Sequence, residues 1–248
     1  MSRALPLGSP PPLSELCAAE PVALFLDFDG TLVEIASSPD AISVPTSLPG
    51  ALRQLSQQLE GRLAVVSGRS LEDLSKHLGE DLQVAQAGSH GAARRFADGS
   101  PLGAEPDGLP DEVVTALEDF AASKNLRYEA KTHGGALHYR ENPEAGDAAH
   151  EFAEHIAAAN TLAIKTGKCV VELVHKGADK ASAVRAFMEQ SPFAGATPVF
   201  LGDDVTDEDG FAACEALGGC GILVGDPRDT NARYGLASVS QTHQWLDL

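Results

Sequence analysis

The chain has 248 residues, of which 43% are hydrophobic, enough for one large domain or for a core with a smaller module. Its 18 basic and 36 acidic residues give a formal net charge of −18 at pH 7, and only 5% of its residues are aromatic. This charge repels anions and the aromatic content offers little base stacking, so nucleic acid and anionic membranes are excluded as expected partners. A negatively charged substrate would need a local cation at its site.

The N-terminal segment contains three consecutive prolines, Pro10 to Pro12, and no apolar stretch typical of a secretion signal. We expect residues 1–20 to form a flexible N-terminus. No apolar stretch of the sequence is long enough to span a bilayer, and the four cysteines show no repeated CxxC spacing. These features predict a reduced, cytoplasmic protein without a membrane partner.

Short apolar segments alternate with amphipathic helices in the first hundred residues. Residues 22–26 (VALFL) form a continuous apolar run, which is typical of a strand covered on both faces. Helical spacing predicts a helix over 48–59, and a second apolar run predicts a strand at 63–66. Ser70 precedes a predicted helix over 71–78, and a third strand is expected at 82–87. This alternation indicates a parallel sheet.

A different pattern occupies the middle of the chain. Residues 98–110 are rich in Gly, Pro and acids, as is typical of a domain boundary. Alternating strands and amphipathic helices follow, which predict an antiparallel sheet with helices on one side. The expected elements are helices at 111–123 and 145–159 and strands at 126–131, 137–140, 161–164 and 168–174, with His138 and Arg140 on one face of the second strand. The parallel pattern then resumes, with helices expected at 180–188 and 207–214 and strands at 198–201 and 221–224. We therefore expect a core of residues 21–100 and 177–248, interrupted by an α+β module of residues 101–176.

Two acidic segments follow predicted strands directly: DFDGT at residues 27–31, and GDDVTDED at residues 202–209. Asp and Gly are also common in turns, and acidic residues favour helix N-termini. Chemistry, however, collects at the carboxyl ends of parallel strands, and buried carboxylates need a cation or hydrogen bonds. Two acidic clusters that converge at this edge predict a Mg²⁺ site.

Two further segments carry groups suited to phosphate. Residues 67–70 (SGRS) follow the second strand and open a helix, so the Ser67 hydroxyl and helix N–H groups point at the same edge. Lys180 opens the helix after the insert, where a cation gains nothing from the helix dipole. Lys176 lies just before it and is the alternative. An ordinary helix start and a solvated lysine are the structural interpretations, but near carboxylates these groups fit a phosphate site.

DFDGT, the Ser67 of VVSGRS, Lys180 and GDDVTDED occur in the order of the four motifs of the haloacid dehalogenase superfamily, and the chain resembles its phosphotransferases. The insert resembles the cap of the sugar-phosphatase branches. The segments GDDVTDEDGF, AGSHGAARR, YEAK, ALHYR and GKCVVELV are similar to those of the bacterial trehalose-6-phosphate phosphatase family. Gly usually follows the motif lysine in that family, whereas Ala181 follows it here. The resemblance implies an α/β fold with a Rossmann-like parallel-sheet core and an inserted α+β cap domain.

The resemblance also implies a Mg²⁺-dependent phosphatase that hydrolyses trehalose 6-phosphate to trehalose and phosphate through an aspartyl-phosphate intermediate. Trehalose-6-phosphate synthase is the functional partner it implies. The implied catalytic residues are the nucleophile Asp27, the acid and base Asp29, and Ser67 and Lys180, which hold phosphoryl oxygens. The implied metal ligands are the Asp27 carboxylate, the Asp29 backbone carbonyl and Asp203, with Asp204 or Asp207 directly or through water.

By the same resemblance the insert selects the sugar. Glu172 stands alone in the apolar segment VVELV, and an isolated carboxylate in such a strand needs a partner. A solvated sheet face is the alternative for the other polar residues of the insert, and a structural role is the alternative for His90. The implied substrate-binding residues are Thr31, Gly68, Arg69 and His90 in the core, and Glu129, Lys131, His138, Arg140 and Glu172 in the insert.

Two alternatives stay open from the sequence alone. One is another sugar-phosphate phosphatase on the same scaffold, which would differ only in the residues of the insert. The other is a non-catalytic sugar-phosphate sensor, although the intact DFDGT and GDDVTDED segments argue against it because a binding module need not keep a nucleophile. A calcium-binding protein would need a ligand loop at EF-hand spacing, and the sequence has none.

Overall fold

The structure, a computed structural model, describes residues 7–36, 42–104, 107–167 and 169–248. The chain divides into two compact units: the core unit, residues 1–104 and 179–248, and the cap unit, residues 105–178. The expected cap began at residue 101 and ended at residue 176. No helix among the described residues is long and apolar enough to cross a membrane.

The secondary structure alternates between strands and helices in the core unit and groups them differently in the cap unit. The strands in chain order are β1 (Val22–Leu26), β2 (Leu63–Val66), β3 (Ala85–Gly88), β4 (Ala93–Arg95), β5 (Arg127–Lys131), β6 (Gly134–His138), β7 (Leu162–Gly167), β8 (Val170–His175), β9 (Thr197–Gly202), β10 (Cys220–Val224) and β11 (Tyr234–Leu236). The helices are α1 (Leu13–Ala19), α2 (Leu48–Gln58), α3 (Leu71–Leu78), α4 (Asp111–Lys124), α5 (Gly146–Ala159), α6 (Lys180–Met188), α7 (Glu208–Ala216) and α8 (Val239–Leu246).

The core unit contains a seven-stranded sheet in the order β11-β10-β9-β1-β2-β3-β4. All neighbours pair in parallel except β3 and β4, which are antiparallel. Strand β1 lies between β2 and β9, so Leu24 is opposite both Leu63 and Val199. The parallel sheet predicted from the sequence is confirmed, and the carboxyl ends of its strands share one edge.

Apolar side chains cover both faces of this sheet. Leu24 and Leu26 of β1 belong to one buried cluster, which includes residues of α2, α3 and α8. Ala23 and Phe25 belong to a second cluster, which includes residues of α6 and α7. Every residue of β1 is buried, as the continuous VALFL run predicts. The alternation of one strand between two apolar layers gives the α/β architecture of the core unit.

Two helix starts are fixed by side chains that accept backbone hydrogen bonds. The Ser70 hydroxyl accepts from the backbone N–H of Asp73 at 3.2 Å, directly before α3. The Asp179 carboxylate accepts from the N–H of Ser182 at 2.6 Å, directly before α6. Such N-cap bonds satisfy donors that the first helical turn leaves free. The helix boundaries predicted around Ser70 and Lys180 are confirmed, and Lys180 is the first residue of its helix.

The cap unit consists of a four-stranded antiparallel sheet in the order β5-β6-β8-β7. Leu137, Val171 and Leu173 on one face pack against buried residues of α4 and α5. Glu129 of β5 is opposite Ala136 of β6, and Ala136 is opposite Glu172 of β8. Since residues opposite each other on neighbouring strands share a face, Glu129 and Glu172 lie together on the other, polar face of the sheet. An antiparallel sheet with helices on one side was expected, and the structure confirms it.

The structure differs from expectation at the N-terminus, where a flexible segment was expected over residues 1–20. Residues 1–6 lie outside the described residues, but α1 forms within the remainder. Leu13 and Leu16 pack against the core cluster, and the Trp245 indole donates to the carbonyl of Pro11 at 2.8 Å. These contacts order the segment because they bury apolar surface that the sequence pattern did not assign to the core.

The sequence also missed β4, β11 and α8. Strands β4 and β11 have three residues each, which is too short for a periodic signal. The strand expected from residue 168 begins at Val170; residue 168 lies outside the described residues.

The apolar layer beside α6 depends on an aromatic group that allows a stability test. The ring centroid of Phe187 lies 5.0 Å from that of Phe193 and 6.2 Å from that of Phe25. We expect Phe187→Ala to lower the free energy of unfolding by about 3–5 kcal/mol because it leaves a cavity. Leu217→Ala is the control, since Leu217 is 46% exposed. Urea unfolding followed by circular dichroism measures both, and equal losses would contradict this packing.

Candidate active site

Three neighbouring strands of the core sheet end in polar residues. Asp27 follows β1 directly, Ser67 follows β2 and Asp203 follows β9. Because β1 pairs in parallel with both β2 and β9, these three residues lie along the same edge of the sheet. Asp27 and Ser67 are buried, and Asp203 is half-buried.

A buried ion cluster lies at this edge. Oxygen atoms from the carboxylates of Asp27, Asp203 and Asp207 all lie within 4.8 Å of one another. The Lys180 ammonium donates to Oδ1 of Asp27 at 2.6 Å and to Oδ1 of Asp207 at 2.5 Å. Lys180 is only 2% exposed. If all three carboxylates are ionised, one ammonium leaves two negative charges without compensation in a site of low dielectric constant.

The pKa values of the cluster reflect this imbalance. Burial raises the pKa of Asp27, and the charge of Lys180 opposes that effect. Burial, followed by the charges of Asp207 and Asp204, raises the pKa of Asp203 to about 7. Burial alone would lower the pKa of Lys180, but the charges of Asp207 and Asp27 outweigh it and raise that pKa. Lys180 therefore stays charged, and the carboxylates favour a proton or a further cation.

The residues present fit a divalent cation. Carboxylate oxygens are hard ligands of the type that Mg²⁺ and Ca²⁺ prefer. Oδ2 of Asp207 accepts from the N–H groups of both Asp203 and Asp204 at 3.0 Å, which holds the loop after β9. Gly30 leaves room for the Asp203 carboxylate, since a Cβ at Gly30 would overlap with it. The φ angle of Gly30 is +82°, a conformation that also favours glycine.

Asp204 and Asp207 were the two alternatives for a further metal ligand. The Asp204 carboxylate accepts from the N–H and hydroxyl of Thr206 at 2.7 and 2.6 Å. Asp204 is exposed, whereas Asp207 is buried beside Lys180. Of the two carboxylates, that of Asp207 forms the compact group with Asp27 and Asp203.

The Asp29 carboxylate is held by Arg69. Nε and Nη2 of Arg69 donate to Oδ2 and Oδ1 of Asp29 at 2.7 and 2.8 Å, and Nη1 donates to Asp73 at 2.6 Å. The guanidinium carbon also lies 5.7 Å from the centroid of the Phe28 ring. Burial would lower the pKa of Arg69, but the hydrogen bonds to Asp29 and Asp73 outweigh it and raise that pKa. Arg69 was expected to bind substrate, and here its guanidinium contacts two aspartates.

Asp73 was absent from the candidates taken from the sequence. It lies four residues after Arg69 in the first turn of α3. Arg69 precedes the cap residue Ser70 and lies outside α3, so the spacing rule for side-chain pairs within a helix gave no signal for this contact. The contact matters because Asp73 and Asp29 together fix the position of the guanidinium.

The remaining core candidates make contacts with Asp27 or with each other. The Thr31 hydroxyl donates to Oδ2 of Asp27 at 3.4 Å, and the Ser67 hydroxyl accepts from the N–H of Arg69 at 3.1 Å. The ring of His90 packs on Gly68, where a Cβ would lie 2.7 Å from its Cε1 atom. Lys180 is the lysine that contacts Asp27; Lys176, the alternative, is exposed and belongs to the cap unit.

The polar face of the cap sheet brings four candidates into two pairs. Nζ of Lys131 lies 2.9 Å from Oε1 of Glu172, and Nε2 of His138 lies 2.7 Å from Oε2 of Glu129. The hydrogen bond with His138 lowers the pKa of Glu129. The partner that Glu172 was expected to need is Lys131. These two side-chain contacts place acceptors and donors of hydrogen bonds together on one face.

Arg140 lies elsewhere than expected. The sequence pattern placed it on the same strand face as His138, but β6 ends at His138. The N–H of Tyr139 still donates to the carbonyl of Cys169 at 3.0 Å, which continues the pairing with β8 by one residue, and the chain turns at Arg140. Arg140 follows in a turn and is exposed.

Known proteins are similar to this chain in sequence. The sequence model of the Trehalose-phosphatase family matches residues 25–240. The chain belongs to this family. It is 39% identical over 229 residues to the trehalose-6-phosphate phosphatase of Escherichia coli strain K12, an alignment that covers 91% of this chain and 85% of that protein. The family expected from the motifs is therefore confirmed.

Two solved structures share the fold. The C-terminal domain of the C. albicans trehalose-6-phosphate phosphatase superposes with a TM-score of 0.80 at 21% identity, covering 99% of this chain and 98% of that one. A haloacid dehalogenase-like hydrolase from Bacteroides thetaiotaomicron superposes with a TM-score of 0.66 at 16% identity, covering 91% and 98%. The expected fold of the haloacid dehalogenase superfamily is confirmed.

The contact between Gly30 and Asp203 can be tested with a matched glycine. We expect Gly30→Ala to weaken Mg²⁺ binding at least roughly 10-fold because its Cβ displaces the Asp203 carboxylate. Gly99 has a φ angle of +83° and open space around it, so Gly99→Ala carries the backbone strain alone, about 1–2 kcal/mol. Isothermal titration calorimetry with MgCl₂ measures the binding. Equal affinities of the two variants for Mg²⁺ would show that Asp203 does not need this space.

Proposed function

We propose that the protein is a Mg²⁺-dependent phosphatase that hydrolyses trehalose 6-phosphate to trehalose and inorganic phosphate. The observation that carries this proposal is the buried cluster of Asp27, Asp203 and Asp207 around the Lys180 ammonium, in a chain of the Trehalose-phosphatase family. A carboxylate at a strand end, an ammonium that contacts it and a site for a cation are the groups that phosphoryl transfer needs.

Asp27 is the proposed nucleophile. One of its carboxylate oxygens attacks phosphorus, the bond from phosphorus to the sugar oxygen breaks, and a phosphoryl group is left on Asp27. Water then attacks the same phosphorus atom, which releases inorganic phosphate and restores the carboxylate. The hydrogen bonds from Lys180 and Thr31 to Asp27 support this role, because they fix the direction of both oxygens.

Asp29 is the proposed acid and base. It gives a proton to the departing sugar oxygen in the first step and takes one from the attacking water in the second. Each of its oxygens accepts one hydrogen bond from Arg69, which orients the carboxylate and leaves a second lone pair on each oxygen for a proton.

Mg²⁺ is the proposed metal, and when bound it would neutralise phosphoryl charge so that two anions can meet. The Asp27 and Asp203 carboxylates and the Asp29 backbone carbonyl would hold it, and Asp207 or Asp204 would add a ligand directly or through water. The Ser67 hydroxyl and the Lys180 ammonium would hold phosphoryl oxygens. Thr31, Gly68, Arg69 and His90 complete the proposed substrate ligands of the core unit.

Recognition of the sugar is proposed for the polar face of the cap sheet. Glu129 and Glu172 offer acceptors and Lys131 and His138 offer donors, which suit the hydroxyl groups of a glucose ring. Arg140 remains a proposed ligand from its turn beyond β6. A sugar hydroxyl would have to compete with the existing contacts between these side chains, and the polar face would favour a substrate that satisfies all of these groups at once.

The setting of the reaction is also a proposal. Trehalose-6-phosphate synthase would supply the substrate, and the reaction would take place in the cytoplasm. The synthase is proposed from the resemblance and from the chemistry of a phosphorylated disaccharide, which has to be made before it can be hydrolysed. The cytoplasm is proposed from the scattered cysteines, which suit a reducing compartment.

The nucleophile can be tested by substitution. We expect Asp27→Asn to reduce phosphate release from trehalose 6-phosphate by at least about 10⁴-fold, because an amide oxygen is a poor nucleophile. The fold should remain, since Asn has the same shape and Asp207 still pairs with Lys180. Asp209→Asn, an exposed residue of the same acidic segment, is the control. Phosphate release and circular dichroism are measured together, and an active Asp27→Asn variant would remove the covalent mechanism.

Sugar recognition by Glu172 gives a separate prediction. We expect Glu172→Gln to raise KM for trehalose 6-phosphate about 10-fold and to leave KM for 4-nitrophenyl phosphate within about 2-fold, because the aryl ester has no sugar to bind. Glu154→Gln, on the exposed side of α5, is the control and should change neither value. Equal losses on both substrates would assign Glu172 a structural role.

A further inference from the structure

A carboxylate outside the buried cluster joins two segments of the core unit. Glu208 is the first residue of α7, and its carboxylate accepts from the side chain of Arg228, from the Thr230 hydroxyl at 2.7 Å and from the N–H of Asn231 at 2.7 Å. All three donors lie in the segment after β10. Glu208 is therefore the anchor that holds residues 228–231 against the start of α7.

Arg228 connects Glu208 to the loop after β9. One of its terminal nitrogens donates to Glu208, and the other donates to the backbone carbonyl of Asp204 at 2.5 Å. The guanidinium is a rigid fork, so a fixed Glu208 also fixes the position of the Asp204 carbonyl. Asp204 is the next residue after Asp203, whose carboxylate belongs to the buried cluster.

The backbone at residues 203–204 is thus held from two sides. On one side Oδ2 of Asp207 accepts from the N–H groups of Asp203 and Asp204 at 3.0 Å. On the other side Arg228 donates to the Asp204 carbonyl. The loss of one contact would leave only the other to restrain the peptide that carries the Asp203 carboxylate.

An acidic residue at a helix start is usually explained by the helix dipole. The helix dipole does not account for the contacts of Glu208, because both of its carboxylate oxygens accept hydrogen bonds from donors of another segment, three in all. Glu208 and Arg228 are also largely buried at their side chains, with 18% and 25% exposed. Ion pairs that contribute little to stability are typically far more exposed to water.

We propose that Glu208 and Arg228 are positioning residues that hold Asp203 in the geometry needed to bind the catalytic cation. The inference rests on the cation site of the proposed function. Neither residue contacts the Asp27, Asp203 or Asp207 carboxylates in the described contacts; they act through the Asp204 backbone. Residues that orient metal ligands commonly change metal affinity by about 10- to 100-fold when they are substituted.

The test compares Arg228→Lys and Glu208→Gln with Glu215→Gln. The control lies on the same helix and also pairs through both oxygens with an arginine of the following segment, Arg233, at 2.7 and 2.8 Å, but that pair is exposed. Isothermal titration calorimetry with MgCl₂, without substrate, measures the dissociation constant. We expect it to rise about 10-fold in Arg228→Lys and Glu208→Gln and to stay unchanged in Glu215→Gln.

A second readout is independent of the metal. Amide hydrogen exchange in EDTA should be faster in Arg228→Lys than in the parent for the peptide that contains Asp203 and Asp204, because a lysine cannot reach both acceptors of Arg228. At saturating Mg²⁺, KM for trehalose 6-phosphate should remain within about 2-fold of the parent value, since neither residue binds substrate.

The outcomes separate the two proposals. If the parent binds Mg²⁺ and the folded variants bind it equally well, the positioning role is wrong and the proposed function stands. If Glu208→Gln fails to fold, Arg228→Lys, which keeps its positive charge, decides the question. If the parent itself binds no Mg²⁺ in calorimetry, both the cation site and the positioning role are overturned.

Discussion

The active-site edge of the core unit depends on one interaction, the buried ion pairing of the Lys180 ammonium with the carboxylates of Asp27 and Asp207. It allows carboxylates from two strand ends to lie close together in a site from which water is largely excluded. Its position follows from local structure, since the Asp179 cap begins α6 at Lys180 and the parallel pairing of β1 with β9 brings the acidic segments to one edge. One positive charge does not balance three carboxylates, and that shortfall is the physical basis of the proposed cation site.

Further hydrogen bonds hold the residues and the loop around this cluster in place. The Asp207 carboxylate accepts hydrogen bonds from backbone N–H groups of the loop after β9. Arg228, which pairs with Glu208, donates to a backbone carbonyl of the same loop. Arg69 holds Asp29 through both carboxylate oxygens. Each contact joins a charged group to a rigid partner, which keeps reactive groups within a narrow range of positions. The cap unit follows the same principle on its polar face, where contacts with His138 and Lys131 orient the carboxylates of Glu129 and Glu172.

The sequence predicted the parts of the molecule that depend on local patterns. Continuous apolar runs marked β1 and β2, Ser70 marked the start of α3, and the resumed helical pattern marked the start of α6 at Lys180. Strand ends followed by acids marked Asp27 and Asp203. The missed features depend on side chains far apart in the chain: Arg69 meets Asp29 across 40 positions, and Arg228 meets Glu208 across 20. No periodicity encodes such pairs, and the same holds for α1, which is ordered by distant Trp245.

The most direct test of this account is phosphate release from trehalose 6-phosphate, sucrose 6-phosphate, glucose 6-phosphate and a nucleotide, each with Mg²⁺ and with EDTA. The account predicts that trehalose 6-phosphate is hydrolysed far faster than the others, and only when Mg²⁺ is present. Release that prefers another sugar phosphate would contradict the assignment of the cap face and leave the core chemistry intact. No release from any of these substrates, or equal release in EDTA, would contradict the central role of the acidic cluster.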